Sequence, residues 1–353
     1  MLYVLFFIIA FVVSLLAVPV VKKAAWRFKV LDMPNDPRKI HTRPIPFLGG
    51  FAIFISFFLT LLLYLKFFDH DFAVIPARFF WGMFIGASIL MIGGFLDDKY
   101  SLKPRLQIIS PVLAALAVVY SGIGVGITIL SNPLGGHFNL AFSVFGISAS
   151  AIFIFIFVLG MIYTTKFLDG MDGLASGISA IAGLTLFFLS LTPRISQSIT
   201  ASLAIIFTGA VVGFLVFNFN PASIFLGESG STLLGFMLAV FSVLLGGKIA
   251  TAILVMGIPI LDVAWVIARR IWYGTSPFKA DRKHLHFRLL DIGFSQRQTV
   301  LILYFIAAVF GVVTLFLQSL GKLIALLILI FVMACLAVAS VVVYKEKTAA
   351  KSN

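Results

Sequence analysis

The sequence predicts an all-α polytopic membrane protein with about eleven transmembrane helices. Of its 353 residues, 61% are hydrophobic and only 11% are charged, and the mean hydropathy is +1.14. Soluble domains carry about 25% charged residues, so a soluble enzyme or a disordered chain is excluded. The single cysteine, Cys335, also excludes a disulfide framework and a cysteine metal site.

Each predicted span is an apolar run of roughly 20 residues, the length a helix needs to cross lipid while satisfying its own backbone hydrogen bonds. The first run is followed by Lys22 and Lys23 and lacks a preceding basic region, which favours an uncleaved span over a signal peptide. No repeat divides the chain, so residues 1–353 are expected to form one integral membrane domain. The predicted spans are residues 2–21, 47–66, 77–96, 106–122, 146–165, 173–191, 198–217, 230–246, 249–268, 298–317 and 323–344.

Residues 122–140 are too rich in glycine and proline to span the membrane. Val125, Ile127 and Ile129 alternate with small or polar residues ahead of the turn sequence at 132–136. This pattern predicts a short external hairpin.

The distribution of charge predicts the orientation. With the N-terminus outside, 21 of the 26 Lys and Arg residues fall on the cytoplasmic side, as does the C-terminus. The net charge of +13 is therefore partly a topology signal and partly, in the histidine loop and at Lys166, a phosphate-binding surface, and we expect no nucleic-acid partner. Eleven of the thirteen acids, all but Asp69 and Asp71, lie at the same face. Carboxylates at a membrane edge are costly, so the functional site is expected there.

Two aspartate motifs follow apolar spans at this face. Asp97 and Asp98 are adjacent, so that one can hold a proton or both can be held by cations; a solvated loop is the alternative. Asp169 and Asp172 lie in an Asp-Gly-Met-Asp-Gly sequence and would share a face if helical, whereas the alternative is a glycine-rich turn.

Two further motifs complete the predicted site. Glu228 has no basic neighbour in its loop, and the helix that starts beside it can offer free N–H groups to phosphate. A capping box is the alternative there. In the longest internal loop, Arg282, His284 and His286 supply donors for a pyrophosphate or a sugar hydroxyl. A positive-inside loop is the alternative, and two histidines without cysteine are a weak zinc signal. Together the four motifs indicate a nucleotide diphosphate held beside the bilayer, with chemistry at phosphorus.

At these motifs the sequence resembles the polyprenyl-phosphate N-acetylhexosamine-1-phosphate transferases, which include the GlcNAc-1-phosphate transferases of teichoic acid and lipopolysaccharide O-antigen synthesis and the peptidoglycan translocase. The resemblance covers nearly the whole chain, including Lys39 and His41 in the segment 38–50. It implies transfer of a sugar 1-phosphate, with GlcNAc 1-phosphate expected, from a UDP-sugar to undecaprenyl phosphate at the bacterial cytoplasmic membrane. The resemblance also implies that UMP is released and that Mg²⁺ is the cofactor. It is compatible with a homodimer.

The resemblance also implies roles for residues. Asp97 or Asp98 would accept a proton from the lipid phosphate or position it, and Asp169 and Asp172 would organise the metal and the pyrophosphate. The residues expected to bind substrate are Lys39, His41, Lys166, Asn218, Arg282, His284 and His286.

Two positions depart from the pattern, and both map onto metal ligands of the family. Lys166 stands where relatives commonly carry Asn, and Glu228 stands where they commonly carry Asp. An ammonium cannot ligate Mg²⁺. One hypothesis is that Lys166 reaches Glu228 and replaces part of the metal's charge. A second is that Glu228 and Asp169 still hold Mg²⁺ while Lys166 grips a phosphate, and a third is a lipid-binding homologue without transferase activity.

A smaller departure is Phe287, where the GlcNAc branch often has another histidine. It leaves other N-acetylated donors, such as a 6-deoxyhexosamine, open. A secondary transporter is the remote alternative, but its carboxylates would cluster near mid-membrane and in an internal repeat.

Overall fold

The computed structural model describes residues 1–34, 42–67, 76–193, 195–246, 249–274 and 284–352. Within these ranges ten helices are long and apolar enough to cross a membrane, and a bent helix pair is an eleventh candidate span. The prediction of an all-α polytopic membrane protein is thus confirmed. Lys39, His41 and Arg282, which were predicted to bind substrate, lie outside the described residues.

The helices follow the predicted apolar runs. They are α1 (Leu2–Phe28), α2 (Gly49–Phe67), α3 (Ala77–Tyr100), α4 (Pro104–Gln107), α5 (Ile109–Ser121), α6 (Ala149–Leu168), α7 (Leu174–Leu191), α8 (Ser198–Asn218), α9 (Gly227–Leu244), α10 (Ile249–Val255), α11 (Gly257–Trp272), α12 (Leu285–Asp291), α13 (Gln296–Phe316) and α14 (Ser319–Ser352). The most buried spans are α7, α8 and α9, whereas α14 has the least buried span and lies at the edge of the bundle.

Glycines let two helices approach the start of α9 closely. A Cβ atom on Gly50 of α2 would lie 2.4 Å from the Cα of Gly230, and one on Gly94 of α3 would lie 2.3 Å from the Cα of Ser229. Such contacts between backbones are typical of helix packing in membranes. They place the C-terminal end of α3 against the N-terminal end of α9.

Several helices are longer than the apolar runs that predicted them. The third span was expected to end at residue 96, but α3 continues to Tyr100; likewise α6 ends at Leu168 and α9 begins at Gly227. A hydropathy pattern measures the part of a helix that lies in lipid, whereas the hydrogen-bonded backbone continues beyond it. The polar residues expected in loops therefore lie in the terminal turns of helices.

The segment predicted as the ninth span, residues 249–268, is not one straight helix. It forms α10 and α11, whose axes differ by 78° across the break at Met256. Gly257 and Pro259 lie at the start of α11, where proline at an early helical position is tolerated but cannot continue the preceding helix. The bend turns α11 so that Asp262 and Arg270 are buried.

The predicted hairpin is confirmed in residues 122–140. Strands β3 (Ile129–Ser131) and β4 (His137–Asn139) pair antiparallel, with Leu130 opposite Phe138. A second hairpin that the sequence did not predict joins β5 (Ser143–Val144) and β6 (Ile147–Ser148), and it delays the start of α6 to Ala149. Near the other end of the bundle, β1 (Leu31–Asp32) pairs with β2 (Ile45–Pro46).

Candidate active site

Lys166 and Glu228, the two residues that depart from the family pattern, form an ion pair. The Nζ atom of Lys166 lies 2.6 Å from Oε1 of Glu228, and both side chains are largely buried, with 17% and 14% of their surface exposed. Lys166 comes from the last turn of α6 and Glu228 from the first turn of α9. The predicted contact between Lys166 and Glu228 is therefore confirmed, whereas the replacement of metal charge by Lys166 stays a prediction.

A glutamine joins this pair to the first aspartate of the Asp97-Asp98 motif. Lys166 donates a hydrogen bond to Oε1 of Gln107 at 3.1 Å, and Nε2 of Gln107 donates to Oδ1 of Asp97 at 3.0 Å. The same Asp97 oxygen accepts the N–H of Leu102 at 2.9 Å. We call Asp97, Asp98, Gln107, Lys166 and Glu228 the charge cluster.

Asp98 has a different environment from its neighbour. Its Oδ1 accepts the backbone N–H of Glu228 at 2.9 Å, so a carboxylate occupies a free donor at the start of α9. Its Oδ2 is buried and has no hydrogen-bond partner. A Cβ atom on Gly227, whose φ is +72°, would lie 2.4 Å from Oδ2, so only glycine fits beside this carboxylate.

The second aspartate motif, residues 169–173, forms a turn between α6 and α7, which we call the aspartate loop. Asp172 holds the chain that follows α8, because its Oδ2 accepts from Nδ2 of Asn220 at 2.9 Å and from the N–H of Ala222 at 3.0 Å. Burial, together with the charges of Glu228 and Asp172, raises the pKa of Asp169 to about 8. Asp169 therefore holds a proton more readily than an ordinary aspartate does.

A cavity of about 860 Å³ opens beside the aspartate loop. Its lining includes Asp169, Asp172 and Asn218, and Arg43 is the only Lys or Arg among the lining residues that the structure describes. The volume is within the range of known small-molecule sites, about 300–1,000 Å³. A larger cavity, about 1020 Å³, lies by the β3–β4 hairpin and includes Lys322, but no acidic residue contributes to its described lining.

The predicted histidines lie on the other side of the aspartate loop. His284 shares a hydrogen bond of 2.8 Å between its Nδ1 and Oδ2 of Asp262, whose Oδ1 accepts the N–H of Leu285 at 2.8 Å. The rings of His284 and His286 stack 5.5 Å apart. We call Asp262, His284 and His286 the histidine cluster.

His286 is the link from this cluster to the aspartate loop. Its Nε2 is buried without a hydrogen-bond partner, and a Cβ atom on Gly170 would lie 2.6 Å from it. Burial lowers the pKa of His286 to about 4, and nearby His284 adds to this effect while Asp262 opposes it. The ring is therefore neutral at physiological pH.

Asn218, predicted to bind substrate, is buried and bonded within the protein. Its Oδ1 accepts from the hydroxyl of Ser176 at 2.7 Å and its Nδ2 donates to the carbonyl of Ile224 at 3.0 Å. It also lines the 860 Å³ cavity, so a substrate-binding role stays a prediction.

Gln107 and Asp262 were not among the site residues expected from the sequence. Asp262 did carry a signal, because a carboxylate inside an apolar segment is costly unless it has a partner. Gln107 carried none, since a neutral amide beside a helix start is common. Both were missed because their partners are distant in sequence.

The predicted metal positions do not fit Mg²⁺ while the ion pair is in place. Mg²⁺ uses one or two carboxylates with substrate phosphates, yet Oε1 of Glu228 lies 2.6 Å from an ammonium. A dication on the same carboxylate, about 4 Å from that ammonium, would be repelled by about 8 kcal/mol at an effective dielectric constant of 20. No group of three or more His, Cys, Asp and Glu side chains suited to a metal occurs among the described residues.

Acids, an ammonium and imidazoles thus meet at one end of a membrane-spanning helix bundle, beside a cavity. This combination defines a membrane transferase that acts on phosphates.

Known proteins refine that class. Residues 80–246 match the model of glycosyl transferase family 4. The chain is 31% identical, over 88% of its length and 85% of the relative's, to a probable undecaprenyl-phosphate N-acetylglucosaminyl 1-phosphate transferase of Bacillus subtilis. It is 30% identical to the undecaprenyl-phosphate alpha-N-acetylglucosaminyl 1-phosphate transferase of Thermotoga maritima, over 78% of each chain. It is 28% identical to a decaprenyl-phosphate N-acetylglucosaminephosphotransferase of Mycobacterium tuberculosis, over 84% of this chain and 77% of the relative. The chain belongs to the polyprenyl-phosphate N-acetylglucosamine-1-phosphate transferase family.

Proposed function

We propose that this protein transfers GlcNAc 1-phosphate from UDP-GlcNAc to undecaprenyl phosphate at the cytoplasmic face of the bacterial cytoplasmic membrane, releasing UMP. The product would begin a lipid-linked cell-envelope glycan, such as a teichoic acid or a lipopolysaccharide. The observation that carries the proposal is the meeting of the charge cluster, the aspartate loop and the histidine cluster at one end of the bundle. The names of the relatives support the acceptor and the sugar.

The reaction is a displacement at phosphorus. An oxygen of the lipid phosphate attacks the β-phosphorus of the donor, a new P–O bond forms, and the bond from that phosphorus to the bridging oxygen breaks. The bridging oxygen leaves with the electron pair as part of UMP. A fully ionised lipid phosphate needs no proton transfer, whereas a singly protonated one gives its proton to a base.

Asp98 is the better candidate for that base. Its Oδ2 is buried without a hydrogen-bond partner, whereas Oδ1 of Asp97 accepts from both Gln107 and Leu102. A carboxylate oxygen without a partner can accept a proton or a hydrogen bond from the lipid phosphate. A carboxylate oxygen that already accepts two hydrogen bonds instead holds the end of α3 in place.

The cavity beside the aspartate loop is the proposed donor site. Arg43 lines this cavity and can pair with a phosphate. The neutral ring of His286 lies behind Gly170 of the lining, so its Nε2 can hydrogen-bond a sugar or phosphate oxygen only after the aspartate loop moves. The ring of Phe287 lies 4.4 Å from that of His286, so the histidine has an apolar neighbour. This contact favours including a UDP-N-acetyl-6-deoxyhexosamine in any test of donor identity.

The test measures UMP released by purified protein in lipid nanodiscs from a panel of UDP-N-acetylhexosamines, with undecaprenyl phosphate as acceptor. We expect UMP with UDP-GlcNAc and a loss on the order of 100-fold in Asp98→Asn, as for removal of a general base. Asp291→Asn, an exposed carboxylate at the end of α12, is the matched control. The proposal fails if no donor yields UMP with the wild-type protein.

A further inference from the structure

We propose that the ammonium of Lys166 binds the donor pyrophosphate in place of a divalent metal ion, and that transfer proceeds without one. The inference rests on the proposed function. It gives a role to the Lys166–Glu228 pair.

The first argument is the way Lys166 is held. Glu228 and Gln107 take two of the three hydrogen-bond directions of the ammonium, at 2.6 Å and 3.1 Å. The ring of Tyr163 lies 5.8 Å away and borders the ammonium on a third side. Lys166 still has 17% of its side-chain surface exposed, and the N–H group not taken by Glu228 or Gln107 is the one we assign to a phosphate oxygen.

The second argument is that four carboxylates near Lys166 each have one oxygen already engaged in the protein. Oε1 of Glu228 pairs with Lys166, and Oδ1 of Asp98 accepts the N–H of Glu228. Oδ1 of Asp97 accepts two hydrogen bonds, and Oδ2 of Asp172 accepts two more. A metal would have to share these carboxylates with the bonds they already make and would also sit beside a fixed positive charge.

The third argument is chemical. When the β-phosphorus to oxygen bond breaks, negative charge develops on the bridging oxygen that leaves with UMP. An ammonium held in place before reaction stabilises that charge without reorganisation. Lysine does this as a compact point charge, the role it has in other phosphate sites. The electron pair goes to UMP, and the sugar phosphate gains one bond to the lipid phosphate.

The experiment compares wild-type protein with the double variant Lys166→Asn, Glu228→Asp, after EDTA treatment and removal of bound metal. We expect the wild type to release UMP in EDTA at a rate within about twofold of that in Mg²⁺, because Lys166 supplies the charge. The double variant should be active in Mg²⁺ only. A wild type that loses activity on the order of 10-fold or more in EDTA and recovers with Mg²⁺ overturns the inference.

A binding measurement separates this inference from the proposed function. UDP-GlcNAc should bind wild-type protein in EDTA, and binding should weaken on the order of 10-fold in Lys166→Met but not in Lys99→Met, an exposed lysine at the same end. Mn²⁺ observed by electron paramagnetic resonance should bind the double variant and not the wild type. If no UMP forms under any condition, the proposed function fails, and these two binding results alone decide the inference. A requirement for metal in donor binding, or equal Mn²⁺ binding by both proteins, overturns it.

The fold of each variant must be checked independently. Lys166→Arg keeps the charge and should retain donor binding in EDTA, whereas a general loss of structure would abolish it in every variant. A Lys166→Arg protein that elutes as a single folded species yet behaves like Lys166→Met counts against the inference.

Discussion

The charge cluster and the histidine cluster each pair a carboxylate with a nitrogen-containing side chain, but different kinds of helices carry the two pairs. Lys166 and Glu228 lie in the end turns of two long helices, and their atoms are 2.6 Å apart. His284 and Asp262, 2.8 Å apart, join a bent helix to the start of the seven-residue helix α12.

The two clusters also differ in charge. Lysine is cationic at any physiological pH, whereas the buried ring of His286 is neutral. The first region can therefore neutralise phosphate charge, and the second can recognise neutral groups by hydrogen bonding. The difference teaches that one active site can assign charge and recognition to separate parts of the fold.

The comparison is tested most strongly by removing the cation. Lys166→Met should lower UMP release by about 100-fold to 1,000-fold, the range found when one transition-state donor is lost. It also leaves Glu228 uncompensated, so Glu228→Gln in the same chain should recover part of the lost stability. A double-mutant cycle on unfolding free energy in detergent should give a coupling of about 2 kcal/mol, given that both side chains are largely buried. A coupling near zero would mean that the pair is not energetically linked.

The pH dependence sharpens the contrast between fixed and titrating groups. Because the pKa of Asp169 is raised to about 8 from a usual 3.8, its contribution to stability is complete below about pH 4 and is lost as pH rises to about 8. The Tm of the wild type should therefore fall relative to that of Asp169→Asn between pH 5 and 8, by up to several degrees. His286→Gln should remove a separate dependence of opposite sign, because a histidine whose pKa is lowered from 6.5 to about 4 makes the folded protein lose stability as pH falls below 6.5. A Tm difference independent of pH contradicts the assignment.

Removing the support of the histidine cluster should have a smaller effect. Asp262→Asn keeps an acceptor for the N–H of Leu285 but loses the charge that orients His284. The KM for the donor should rise about 10-fold with little change in kcat, as for other residues that orient a binding group. Steady-state kinetics with Asp291→Asn as control measures the effect. A fall in kcat with unchanged KM would instead place Asp262 in the chemistry.

The smallest effect is expected for Gln107, the neutral residue of the charge cluster. Gln107→Leu removes three hydrogen bonds, one from Lys166, one to Asp97 and one to the carbonyl of Leu102, but leaves the ion pair intact. Each such bond contributes about 1 kcal/mol, so UMP release should fall only a few-fold. Gln107→Glu tests whether the neutral charge of this side chain matters. A second carboxylate beside Asp97 should lower UMP release more than an apolar side chain does. An equal loss of UMP release in Gln107→Leu and Lys166→Met would show that the placement of the Lys166 side chain matters rather than its charge.

Hydropathy and motif spacing were enough to predict the helices and most of the acids in the site. They did not predict the pairings, because Lys166 and Gln107 are 59 residues apart and Asp98 and Glu228 are 130 apart. The bend before α11 was also missed, since an apolar run predicts a span whether or not Gly257 and Pro259 interrupt it. Asp262 therefore seemed only one more acid at the membrane edge, although it holds His284.

The close approach of Gly50 and Gly94 to the start of α9 has a consequence for rates as well as for packing. The positions of Asp98 and Glu228 are set by backbone against backbone, with no flexible side chain between the helices. The atoms around these carboxylates therefore need to move little as charge develops on a reacting phosphate. The reorganisation energy of the site is correspondingly low. A methyl group at either glycine would add a spacer, and the same catalytic groups would have to move before they could act.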